Sequence, residues 1–181
     1  MTIKRVTWKA RPDLLLHPNI PKPLHQVNPR SILGPIWWDK TRDIAYRKTA
    51  YHCAACGVWK KEAQFRQWLE AHETYEVDYA KGRAVYIETV SLCHCCHNYI
   101  HSGRLQTLLE FGKVSHQKYC AIIEHGDKVL TTAGLPINRP QLLEELGEVA
   151  PWDKWRLVLD GKLYKPKFKN IQEWENAHRQ T

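Results

Sequence analysis

The sequence predicts an α+β fold in which two short strands are followed directly by a helix and the stretch is clamped by cysteine pairs. Three observations carry this. Cys53-Ala54-Ala55-Cys56 and Cys93-His94-Cys95-Cys96 are two Cys-x-x-Cys pairs bracketing the segment. Between them, Tyr75 to Tyr79 and Ala84 to Val90 are β-prone runs on either side of Ala80-Lys81-Gly82, a turn signal. After Leu92, the run CHCCHNYIH reads as a short helix, with Gly103 placed to close it in the left-handed conformation.

The elements outside this stretch follow in chain order. Residues 1–36 contain Pro12, Pro18, Pro21, Pro23, Pro29 and Pro35 among basic residues, which excludes a long helix and predicts an extended arm. Such an arm either lies along a partner or straps the core. From Ile36 to Ala50, IWWDKTRDIAYRKTA has near-helical spacing of Trp37, Trp38, Ile44 and Ala45, with the two tryptophans expected in the core rather than as stacking platforms. Lys60 to Trp68 is expected to be a second short helix. Gly103 to Gly134 is expected to be mainly helical, with Gly126 as a stop. Near the end, WRLVLDGKLYKPKF alternates around Asp160-Gly161 and predicts a second hairpin, followed by a closing helix carrying Ile171 and Trp174. The division expected is therefore a basic arm over 1–36, a cysteine-stapled core over 37–104, and a helical and hairpin extension over 105–181 packed on that core.

Composition narrows the class of partner. At 181 residues the chain is long enough for one compact domain with extensions. Lysine and arginine total 27 against 19 acidic residues, a formal charge of +8. A polyanion is the natural complement, and nucleic acid is the leading one, because cations that neutralise phosphates release counterions. No stretch reaches the roughly 18 apolar residues of a spanning helix, and MTIKRVTWKARPD lacks the apolar core of a secretory signal. A cytoplasmic location without a membrane partner is expected.

Of the six cysteines, four fall in the two pairs, at the spacing that lets one turn of backbone grip one ion. Four thiolates suit tetrahedral zinc. The 36 residues between the pairs exceed an ordinary zinc-ribbon loop, so the intervening hairpin is expected to be an insertion clamped at its base. Disulfides need an oxidising compartment, and a redox role needs a thioredoxin-like setting that the pattern does not offer. A two-cysteine, two-histidine finger through His97 and His101 fails on spacing, since that class expects about 12 residues between its pairs. Cys95 and Cys120 are expected to be ordinary buried thiols.

His97 and His101 are four apart on the expected helix, so both project from one face and can share a second ion. His72 lies on the preceding strand with Glu73 beside it. A zinc staple would bring His72, Glu73, His97 and His101 towards one point.

The segment HETYEVDYAKGRAVYIETVSLCHCCHNYIHSGR resembles the ββα-metal motif of HNH endonucleases, in the bacterial and phage subset whose CxxC pairs hold a structural zinc. NPRSILGPIWWDKTRDIAY, YHCAACG and LEAHETYEVDY extend the resemblance over residues 28–104, and WRLVLDGKLYKPKF continues it more loosely. The resemblance implies a zinc-stapled ββα-metal core with additional helices, and a metal-dependent DNA endonuclease. It places His72 as a metal ligand and Glu73 as general base, His97 and His101 as helix ligands, and Glu88 where the base-orienting asparagine of the family stands. The other registration makes His72 the base and puts Ala71 at the ligand position. Two departures are plain: Glu73 stands where histidine is usual, and Glu88 where asparagine is usual. A carboxylate can still deprotonate an activated water or bind a cation.

The functions implied are phosphodiester hydrolysis with Mg²⁺, Mn²⁺, Ni²⁺ or Zn²⁺ as the catalytic ion, or a degenerate module that binds DNA or a protein partner of a phage or bacterial assembly without cutting. Arg83 and Arg104 are the candidate phosphate contacts, with solvated surface charge as the alternative for each.

Overall fold

A computed structural model describes residues 8–137 and 148–178. Among these residues it is a mixed α+β protein. Element α1 spans Pro29–Lys48 as two helical stretches broken at Gly34, whose φ of 82° and ψ of 176° are not helical, and a hairpin follows from β1, Glu70–Asp78, and β2, Arg83–Leu92. Three helices come next, α2 (His94–Ile100), α3 (Ser102–Glu110) and α4 (His116–Thr132). Strands β3 (Arg156–Leu159) and β4 (Lys162–Tyr164) and helix α5 (Ile171–His178) end the described chain. The sheet order is β1-β2-β3-β4, with β3 parallel to β2 and antiparallel to β4.

The chain divides into two compact units, each with a core of its own. The first takes the described residues within Met1–His17, Thr41–His72 and Thr89–Pro140. Its core joins Leu14, Leu15, Leu69 and Leu92 to Tyr99, Ile100, Leu105, Ile122 and Leu130. The second takes those within Pro18–Lys40, Glu73–Glu88 and Gln141–Thr181, around Leu24, Tyr75, Ala84, Trp155 and Leu157.

The strand, strand, helix order is as the sequence predicts, and both hairpins turn where expected. Gly82 adopts φ 66°, and Asp78 Oδ1 accepts the Lys81 amide at 2.9 Å. Asp160 and Gly161 both have positive φ, 49° and 74°, the requirement of a two-residue turn matched to strand twist. The proline-rich segment is not a free arm over its described part. Pro12–Leu16 and Lys22–Leu24 are short 3₁₀ helices that bury Leu14, Leu15, Pro23 and Leu24, so this stretch is a strap, while the end of the expected arm, from Pro29 on, is helical and opens α1.

Several expectations fail. Lys60 to Trp68 forms turns rather than a helix: Phe65 has φ 68°, which α-helix does not admit, and Phe65 and Trp68 are 43% and 55% exposed. Trp37 and Trp38 are half-buried, not core. Trp37 meets Tyr86 at 6.1 Å between ring centroids, and the Arg30 guanidinium lies 5.2 Å from the centre of the Trp38 ring. Gly103 does not cap α2. That helix ends one residue earlier, where His101 turns to φ −90°, ψ 39°, and Gly103 lies inside α3. Cys120 is half-exposed, with its sulfur 3.6 Å from His116 Nδ1.

Gly126 is no stop either. It is buried inside α4, where a Cβ would stand 2.0 Å from the Tyr99 ring. Tyr99 is 3% exposed and its hydroxyl donates to Asp127 at 2.8 Å, so the ring has little room to yield. Gly126→Ala is expected to cost roughly 1–3 kcal/mol, as overpacking does. Thermal unfolding checks this, and an unchanged midpoint would mean that Tyr99 moves aside freely.

In the second unit, α5 is held through His25. Trp174 Nε1 donates to His25 Nδ1 at 3.2 Å, which leaves His25 Nε2–H to donate to Ile20 O at 3.1 Å. Burial, with the nearby His178 and Lys22 charges, pushes the His25 pKa below its usual value. The unfolded chain therefore takes up this proton first. The stability from neutral His25 is complete above about pH 6.5 and falls as pH drops below it. Unfolding followed by tryptophan fluorescence should show the decline, and His25→Gln should flatten it.

Candidate metal centres

Two clusters of metal-ligating side chains lie in the first unit, and their members are among the residues singled out from the sequence. Cys53, Cys56, Cys93 and Cys96 offer sulfurs all within 4.8 Å of one another. Cys53 and Cys56 lie in the loop after α1, whose Cys53 amide donates to Val58 O at 2.9 Å and whose Gly57 amide returns to Cys53 O at 2.9 Å. Cys93 is the N-cap of α2, and Cys96 lies in its first turn. The Ala54 amide donates to Ser91 O at 2.7 Å, tying the loop to the end of β2.

The electrostatics of this cluster suit a cation. Burial pushes the Cys53 thiol up, but hydrogen bonds from Cys56, Cys93 and Cys96 outweigh it and hold Cys53 well below the ordinary thiol range. Hydrogen bonds with Cys53 and Cys56 raise the thiols of Cys93 and Cys96. The four thiols are thus linked through protons that a metal would displace. His125 Nε2 stands 3.3 Å from Cys96 Sγ, a contact that spacing did not foretell. Cys95 stays outside the cluster, buried, with its thiol pushed up to about 12 by burial.

The second cluster is His72, His97 and His101, whose ligating nitrogens likewise lie within 4.8 Å of one another. His72 comes from β1, His97 from α2, and His101 from the residue that ends α2. Ring centroids are 5.4 Å apart for His72 and His97, 5.0 Å for His72 and His101, and 4.8 Å for His97 and His101. His72 is 5% exposed, and its Nε2 is a buried polar atom without a hydrogen-bond partner among the described residues. An orphaned buried nitrogen beside two more imidazoles is costly unless something binds it, so the donor set fits a divalent ion. Burial and the neighbouring His97 lower the His101 pKa to about 3, and burial with His101 and His97 pushes that of His72 well below its usual value. Both rings are therefore neutral near pH 7, the form in which imidazole ligates.

Glu70 organises the approach to this cluster. Its carboxylate accepts His94 Nδ1 at 2.7 Å and lies 2.6 Å from His97 Nδ1. Burial pushes the Glu70 carboxyl up, yet the His94 and His97 contacts hold it well below the usual carboxylate range. Asn98 donates to His94 O at 2.8 Å. With Nδ1 turned to a carboxylate, His97 keeps Nε2 for a metal, the arrangement by which outer carboxylates orient metal-binding histidines.

Glu73 and Glu88 stand outside the cluster. The Glu73 carboxylate accepts the Arg30 amide at 3.3 Å and bonds Tyr75, and burial pushes its pKa up. Glu88 contributes its backbone oxygen to Thr74 Oγ1 at 3.0 Å. Arg104 is exposed on α3 and its charge bears on His101, while Arg83 is exposed at the start of β2. No protein-family model, curated protein or solved structure matches this chain. Among the described residues no helix is long and apolar enough to cross a membrane.

Proposed function

We propose that the protein is a metal-dependent endonuclease that hydrolyses phosphodiester bonds in DNA, with a structural zinc on its four cysteines. The observation that carries the reading is the three-imidazole cluster with its orphaned, buried His72 Nε2. Together with the resemblance of HETYEVDYAKGRAVYIETVSLCHCCHNYIH to the ββα-metal motif, it supports a phosphate-processing centre. The formal charge of +8 favours DNA as the polyanion.

His72, His97 and His101 would hold the divalent ion. The ion, when bound, supplies positive charge for the phosphate oxygens and the departing ester oxygen. The chain's own contribution is positioning. Glu70 fixes the ring of His97, the end of α2 fixes His101, and Arg104 adds a cation to meet phosphate. The oxygen of an attacking water would bond to phosphorus as the ester P–O bond breaks, and a proton given up by that water would end on the departing oxygen.

One observation favours a second reading. The Glu73 carboxylate is engaged by Arg30 and Tyr75 instead of joining the imidazoles, as suits a module that binds DNA or a protein without cutting. Plasmid cleavage by zinc-loaded protein with Mg²⁺, Mn²⁺ or Ni²⁺ separates the two. Nicked or linear product should fall by at least about 100-fold in His97→Ala, the scale on which single charge-stabilising groups act. Retained DNA binding without cutting, under every metal, would leave the binding module.

A further inference from the structure

The N-terminal strap brings a fourth histidine to the imidazole cluster. His17 ends the 3₁₀ helix Pro12–Leu16, and its amide donates to Leu14 O at 3.2 Å. Its ring meets that of His72 edge-on with centroids 5.1 Å apart, a spacing within the 4.8 to 5.4 Å that separates the three clustered rings. The backbone here is anchored: Leu14 and Leu15 are 6% and 0% exposed, and the Arg11 amide donates to Ala54 O at 2.7 Å. His17 itself is half-buried. Its nitrogens do not join the group of ligating atoms formed by His72, His97 and His101.

An imidazole beside a ligand set, outside it, on fixed backbone and still in reach of solvent, is placed to touch whatever the centre binds. The geometry points to His17 as a substrate-contacting residue whose ring N–H donates a hydrogen bond to a phosphate oxygen held at the three-histidine centre. Neutral imidazole always carries one N–H donor, and a bond from it to an anionic oxygen is charge-assisted and short. The contact would orient the phosphate from the side of the strap, with Arg104 supplying the cationic partner from α3. Preorganised donors of this kind act without reorganising during the reaction. This deepens the nuclease reading and rests on it for the choice of a phosphodiester as the natural anion.

The test uses the full chain with zinc on its cysteines and Co²⁺ at the histidines, titrated with inorganic phosphate and followed by the Co²⁺ visible spectrum. His17→Phe keeps a ring against His72 but has no donor, and His17→Asn restores one. Phosphate affinity should fall roughly 10-fold or more in His17→Phe and recover in part in His17→Asn, as expected for a hydrogen bond to a charged group. Co²⁺ affinity should stay within about twofold of wild type, since no ligand is removed. Equal phosphate affinity in all three proteins would overturn the inference, as would failure of phosphate to bind the wild-type centre. A parallel fall in Co²⁺ affinity would overturn it too, by making His17 a ligand. If phosphate binding depends on His17 and DNA is not cut, the nuclease reading fails and the contact stands. If DNA is cut and phosphate binding ignores His17, the reverse holds.

Discussion

Stripping metal from the four-cysteine cluster, with a strong chelator or by Cys96→Ser, is expected to unfold the first unit at temperatures where the loaded protein is intact. The sulfurs join the loop after α1 to the first turn of α2, and Cys53, Cys93 and Cys96 sit within the same core as Leu92 and Tyr99. Without a cation the sulfurs lose the ion that would bind the loop to α2 and keep only weak thiol hydrogen bonds. Structural zinc contributes about 10–16 kcal/mol in small zinc domains, against a net stability of about 5–15 kcal/mol for a typical domain. Losing it therefore removes most or all of the margin. Helical circular dichroism during a thermal ramp, with the zinc content measured in parallel, reads the effect. A Cys96→Ser protein that melts like wild type, or wild type that carries no zinc, would sink the structural-zinc reading.

The second large effect is expected at Glu70, which acts through His94 and His97. Glu70→Gln keeps the shape of the side chain but removes the charge that faces His94 and His97. Outer carboxylates of this type are worth roughly 10–100-fold in metal affinity. Titration calorimetry with Ni²⁺ on zinc-loaded protein should show a loss of that size, with zinc content and melting of the cysteine-stapled unit nearly unchanged. Activity should fall with metal occupancy and recover at saturating ion, the signature of a positioning residue. Equal Ni²⁺ affinity in the two proteins would mean that Glu70 serves only to pair His94 and Arg66, whose guanidinium lies 3.1 Å from its carboxylate.

The cysteine pairs and the His97–His101 pair were legible because they obey short, rigid spacings, whereas His72, far from them in sequence, was placed by the strand before the helix and by the resemblance. A Cys-x-x-Cys pair and a histidine pair at i, i+4 are fixed by local backbone, whatever the rest of the chain does. The groups around them were harder to see. Glu70 shares a strand face with His72 by the two-residue period, and His94 shares a helix face with His97 at i, i+3, so both signals were present but hidden among ordinary surface polarity. His17 and His125 carry no such signal: each reaches its cluster through tertiary packing of a distant segment. Gly126 misled for a related reason, because glycine marks both a helix end and a close approach, and only the position of Tyr99 decides between them. The turn at Phe65 went unseen because propensity does not foresee a positive φ at an aromatic residue.

The parallel pairing of β3 with β2 has a consequence for biosynthesis. Arg83, Ala84 and Val85 pair with Arg156, Leu157 and Val158, so Leu24, Tyr75 and Ala84 find the rest of their core only when Trp155 and Leu157 have been made. Among the described residues, the buried members of the first core end at Leu130, by contrast. On the ribosome the cysteine-stapled unit can close and take up its ion while the second still lacks its central tryptophan. The apolar side chains waiting for that last segment are then the ones a chaperone would meet on the nascent chain.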